Sequence, residues 1–140
     1  HLVFGTIHAS SAAQTIQRVV DLFPQVERDL ARQTLSMTLR AVVSQVLVPS
    51  VKPGTDRMPA VEILINNPEA KKLISEGRET DLTNLIRACT EEGMQTLSDS
   101  LVKLIMDGYV EPKEAYKIAP NPDELKMALK GIRSEKGGIL

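Results

Sequence analysis

The chain has 140 residues, 42% hydrophobic and 25% charged, with a formal net charge of −1. This is an ordinary globular composition, large enough for one domain with a real core and too balanced for a nucleic-acid surface or a strongly acidic partner. The single cysteine, Cys89, excludes an internal disulfide and a cysteine-rich zinc site, which makes a reducing, cytoplasmic setting the default. Aromatic residues are only 3% and Trp is absent, so the core must come from Leu, Ile, Val, Ala and Met. No apolar run reaches the roughly 20 residues that span a bilayer, and no signal-peptide layout is present.

The first stretch, Leu2–Ile7, is a short apolar run rich in β-preferring residues and predicts a buried strand. Ser11 followed by Gln14 fits a capping box, so a helix is expected from Ala12. His8 then falls between the carboxyl end of a strand and a helix N-terminus. Open α/β sheets bind ligands at that edge, and helix N-termini favour anions. A lone histidine in such a turn also serves as a capping or packing residue. The chain begins at His1 and enters its apolar run at the second residue. Domains usually begin with loosely held polar residues, so a fragment of a longer chain, or one lacking its first part, is expected.

A helix over Ala12–Phe23 carries Ile16, Val19, Val20 and Phe23 on one stripe. Pro24 ends it or opens the next, which runs from Gln25 to about Arg40. There Val26, Leu30 and Met37 share a side, with Leu35 and Leu39 beside it and Arg28, Asp29 and Arg32 facing water. Ala41–Val48 and Met58–Ile65 predict a hairpin whose long loop contains the turn signal Pro53-Gly54. Pro59 belongs at a strand start or on an edge. Glu62 is expected at a solvent-facing position of the alternation.

After Asn66-Asn67-Pro68 the pattern is helical to the end. Glu69–Glu76 is a short helix stopped by Gly77. Leu82, Leu85, Ile86 and Cys89 form the next stripe, closed by Gly93, with Cys89 a small core residue. Met94, Leu97, Leu101, Leu104 and Ile105 share a helix stopped by Gly108. Glu111-Pro112 opens a helix through Tyr116, and Asn121-Pro-Asp-Glu124 caps another. Residues 131–140 are expected to form a frayed tail.

Chemistry-bearing motifs are sparse. The sequence has no phosphate loop, no acidic residue ending an apolar strand to hold Mg²⁺, no nucleophile elbow and no paired-histidine helix. His1 and His8 stand at no standard ligand spacing, so no metal site is expected. By itself the chain lacks the parts for phosphoryl transfer.

The residues do carry a family likeness. His1-Leu-Val-Phe-Gly-Thr-Ile-His-Ala-Ser-Ser-Ala12 resembles the histidine box of secretion-type ATPases, and more closely that of PilT-like pilus retraction ATPases of twitching motility. The likeness continues through Thr15–Pro24, Leu39–Leu47, Ala60–Pro68, Glu92–Leu97 and Ala119–Leu125, over about residues 1–130. It implies an α/β fold: residues 1–66 as the C-terminal part of a RecA-like P-loop ATPase core, residues 67–130 as a helical C-terminal region, and residues 131–140 as a tail. His8 is then the histidine-box residue that senses the nucleotide's phosphate end. The Walker A and Walker B motifs lie upstream of that box in the family, so this chain alone should not hydrolyse ATP.

The likeness further implies a parent that uses ATP and Mg²⁺, neither expected on this chain alone. That parent assembles as a homo-hexamer, peripheral to the inner membrane on the cytoplasmic side. It acts with the pilus base platform protein and the pilus machinery, without nucleic acid. The retraction subfamily carries a helical motif, Ala-Ile-Arg-Asn-Leu-Ile-Arg-Glu. Here Glu69–Glu76 stands in its place: Leu73, Ile74 and Glu76 agree, Lys71 keeps the charge of an Arg, and Ala70, Lys72 and Ser75 depart. Lys does not replace Arg at a bidentate contact, and a plain surface helix docking Leu73 and Ile74 is the other reading. An assembly or type II secretion ATPase is a second reading of the whole, although Cys89 alone argues against their four-cysteine zinc insertion. A non-catalytic helical interaction module is a third.

Overall fold

The computed structural model describes residues 1–137, and the chain is a mixed α/β protein. Among the described residues the elements are α1 (Ala12–Asp21), α2 (Arg28–Thr38), β1 (Ala41–Pro49), β2 (Arg57–Ile65), α3 (Pro68–Ser75), α4 (Leu82–Ala88), α5 (Leu97–Met106), α6 (Pro112–Ile118) and α7 (Pro122–Gly137). β1 and β2 pair in a two-stranded sheet. The residues group into two compact units, one from His1–Gln45 with Glu62–Thr96, the other from Val46–Val61 with Leu97 onward.

The first unit is built on amphipathic pieces. α1 turns Ala12, Ile16 and Val20 inward. Its Ala12 and Ile16 join Val42 of β1, Leu64 of β2, Ala70, Leu73 and Ile74 of α3, Leu82 and Ile86 of α4, and Met94. Fully burying each large aliphatic side chain contributes about 1.5–3 kcal/mol, so this cluster is the main stabilising feature of the unit. The helix ends follow local chemistry. Asn67 caps α3 by accepting from the Ala70 amide at 2.9 Å, with Pro68 in the first turn. At the other end Gly77 takes φ +72°, Arg78 N–H donates to the Leu73 carbonyl and Gly77 N–H to that of Ile74. That is a Schellman stop, and its left-handed residue needs glycine.

The second unit takes the loop end of the hairpin. Val48 and Ala60 pack with Leu97, Leu101 and Leu104 of α5, Val110, Ala115 of α6, Ala119, and Leu125 and Leu129 of α7. Asn121 accepts from the Asp123 and Glu124 amides and so opens α7. Gly54 sits at φ +80° in the Lys52–Thr55 turn, closed by a 3.2 Å bond from Thr55 N–H to the Lys52 carbonyl. The loop is pinned where Val51 N–H donates to the Tyr109 carbonyl at 2.9 Å and the Lys52 ammonium lies 3.7 Å from the Tyr109 ring centre.

Several expectations need correction. Leu2–Ile7 is not a strand: Leu2, Val3 and Phe4 are 70%, 82% and 90% exposed. A strand exists only within a ladder, and no described segment pairs with this run. α1 ends at Asp21, and a single 3₁₀ turn, Gln25–Glu27, precedes α2. The Val26, Leu30 and Met37 side is solvent-exposed. Leu35 and Leu39 face the core instead, and so does Arg32, which was expected in water. Met94 precedes α5 rather than lying on it, in a segment bridged antiparallel from Gln95 to Ile63. Of the expected tail, α7 takes residues through Gly137, and 138–140 lie outside the described residues.

Candidate functional site

The turn from His8 to Ala12 is the first candidate, and its construction begins with Ser11. The Ser11 hydroxyl accepts from the Gln14 amide at 3.2 Å, as the capping box requires. The Gln14 side chain reaches back one residue further than the box predicts. Its Oε1 accepts from the Ser10 amide at 2.7 Å and from the Ser10 hydroxyl at 3.1 Å. Thr15 adds a bond from its hydroxyl to the Ser11 carbonyl at 2.8 Å. His8 stands two residues before this knot, exposed and with no hydrogen bond or ion pair to the described residues.

The turn is also held from a distance. Glu62, expected in solvent, is buried, and its Oε1 accepts from the Ala12 amide at 2.7 Å. Period-2 alternation puts Glu62 on the same face of β2 as Ala60 and Leu64, which are fully buried. Burial pushes the Glu62 carboxyl above its ordinary value, and the Ala12 amide opposes that rise. The folded chain therefore holds this proton more tightly than the unfolded chain. Stability from this group is full at low pH and is lost as pH rises from about 4.5 through the raised value. Glu62→Gln keeps an acceptor for Ala12 and removes the titration. Denaturation midpoints measured from pH 4.5 to 8 should favour the Gln variant increasingly with pH, then level off; a constant difference across that range would refute the assignment.

The second candidate is the segment of α3. Leu73 and Ile74 are core residues, whereas Lys71 and Glu76 are exposed. Glu76 takes part in a surface chain of charges, with Arg78 at 3.3 Å and Asp81 at 2.6 Å from the same guanidinium. Beneath it lies a pair with no signal in the sequence: Arg32 of α2 and Glu79 form an ion pair with side chains 15% and 10% exposed. Arg32 also donates to the Ile74 carbonyl at 3.3 Å, and its guanidinium lies beside Gly77. α2 thus grips the C-terminal end of α3. No hydrogen bond or ion pair among the described residues joins His8 to α3.

Other features carry less. Cys89 is half-buried, and burial, followed by the charge of Glu92, raises its thiol above the ordinary range, so it is not an activated nucleophile. Among the described residues no cluster of His, Cys, Asp or Glu could hold a metal ion, and no helix is long and apolar enough to cross a membrane. For a nucleotide, the turn offers one exposed imidazole. The Ala12 and Gln14 amides of α1 are already taken by Glu62 and Ser11, and the sequence holds no phosphate loop.

No protein-family model matches the chain. It is 39% identical over 125 residues, 89% of its length, to a twitching motility protein of Neisseria gonorrhoeae. It is 40% identical over 123 residues to the type IV pilus retraction ATPase PilT of Pseudomonas aeruginosa. The chain is a PilT homologue over that stretch. It spans about a third of the length of these curated relatives, 33% and 35%. A crystal structure of the pilus retraction motor PilT with bound ADP superposes with a TM-score of 0.77 at 35% identity, covering 91% of this chain and 35% of that one. A match of 125 of the 140 residues necessarily takes in α3. Glu62 and the Arg32–Glu79 pair are the residues that sequence patterning missed.

Proposed function

We propose that these residues are the part of a pilus-motor ATPase that runs from the histidine box to the helical C-terminal region. In this reading residues 1–66 complete a RecA-like core whose phosphate loop and Mg²⁺-holding carboxylates belong to other residues of the natural gene product. The motor is a homo-hexamer that couples ATP hydrolysis to type IV pilus retraction at the cytoplasmic face of the inner membrane, against the pilus base platform. The observation that carries the reading is the identity of about 40% to twitching motility proteins over nearly nine tenths of the chain. The match to an ADP-bound retraction motor supports it. Bound ATP supplies the phosphoryl group; His8 donates a hydrogen bond to its phosphate end. The turn around Ser11 and Ala12 carries that imidazole.

A hydrogen bond to a charged group is worth about 1.5–3 kcal/mol, or roughly 10–150-fold in rate when made only in the transition state. In the natural gene product, His8→Ala should lower ATP turnover by that factor while the oligomer, read by light scattering, stays intact. Unchanged turnover would remove His8 from the phosphate-facing role.

A further inference from the structure

We propose that Glu62 is a positioning residue for His8: from β2 its carboxylate holds the Ala12 amide and so fixes the turn that carries the imidazole. The inference rests on the reading of His8 as the phosphate-facing residue. Its geometric basis is independent of that reading. Glu62 lies 50 residues from Ala12 in sequence, is buried, and reaches the amide at 2.7 Å. The face it occupies between Ala60 and Leu64 is otherwise apolar, and burial penalises its ionised form. An aliphatic side chain would fill that place without the penalty; what the carboxylate adds is the bond to α1.

The consequence for His8 follows from the chain's connectivity. Ser10 is held through both its amide and its hydroxyl by Gln14, Ser11 caps Gln14, and Ala12 is tied to β2. Three consecutive residues are thereby fixed, one of them to the sheet. His8 makes no bond of its own to the described residues, so its placement is inherited from this backbone. Without the Glu62 bond the capping knot persists, but its tie to β2 is gone. The same bond has a second effect: the Ala12 donor faces an internal carboxylate and is not offered to an incoming phosphate.

The test uses Mg²⁺-ATP turnover by the natural gene product. Glu62→Leu removes the acceptor and Glu62→Gln retains one. Ala12→Pro removes the donor from the other side. Proline is tolerated in the first turn of a helix, and Ser11 before it is already extended at φ −153°, ψ 164°. Misplacing a catalytic contact costs about ten- to a hundredfold. Glu62→Leu and Ala12→Pro should therefore lower kcat by about that factor with KM nearly unchanged, Glu62→Gln should restore most of it, and Glu62→Leu with His8→Ala should be no worse than His8→Ala alone. Amide exchange at position 12 in the 140-residue chain should rise in Glu62→Leu and not in Glu62→Gln. Folded Glu62→Leu and Ala12→Pro proteins turning over at the wild-type rate, where His8→Ala does not, would overturn the positioning role alone. So would a Glu62→Gln variant as impaired as Glu62→Leu. Wild-type turnover in His8→Ala would instead remove the functional reading and this inference with it.

Discussion

Glu79→Ala is expected to destabilise the chain by about 3–5 kcal/mol, because it leaves the Arg32 guanidinium largely buried without its partner. For a chain of this size that corresponds to a fall in Tm of about 10 °C or more. Arg32 does more than pair with Glu79: it donates to the Ile74 carbonyl and lies against Gly77, so its displacement also loosens the end of α3. The distinctive expectation concerns the double change. Arg32→Met with Glu79→Leu replaces both charges by apolar volume and should recover much of the loss, since a buried ion pair often contributes little beyond an apolar pair of similar size. Urea midpoints for the two single variants and the double variant form the cycle. A double variant no more stable than the singles would mean that the pair is held for a packing reason other than charge compensation.

Ile74→Ala should cost about 2–5 kcal/mol, the range for emptying a well-packed core site. Ile74 is fully buried and touches the cluster that includes Leu64, Leu82 and Ile86. Lys71→Ala and Glu76→Ala, on the same helix and its cap, should stay within about 0.5 kcal/mol of the parent. Parallel denaturation of the three variants checks the contrast. A functional defect from Leu73 or Ile74 variants then reports an unfolded region, whereas one from Lys71 reports a surface contact. A Lys71→Ala protein as unstable as Ile74→Ala would show that this face of α3 is not simply solvated.

Much of the element order is legible because it is written in short-range chemistry. Ser11, Asn67 and Asn121 cap helices, Gly77 stops one, and Pro53-Gly54 turns the hairpin, each through bonds to residues within a few positions. The family likeness is likewise a property of residue order, and the relatives at about 40% identity bear it out.

Periodicity, however, marks two faces without saying which is covered. In α2 the side bearing Val26, Leu30 and Met37 is the open one, and Arg32 points inward because Glu79 waits there, 47 residues on. β2 is largely apolar on both faces, so alternation alone does not say which is covered; the fold buries the face of Ala60, Glu62 and Leu64. Leu2–Ile7 is rich in β-preferring residues yet forms no strand among the described residues, because a ladder needs a second strand. What the amino-acid order determined is where helices begin, where they end and which histidine precedes the first of them. What only tertiary structure decided is which charges are buried and against what, because burial and pairing depend on groups that meet across tens of residues.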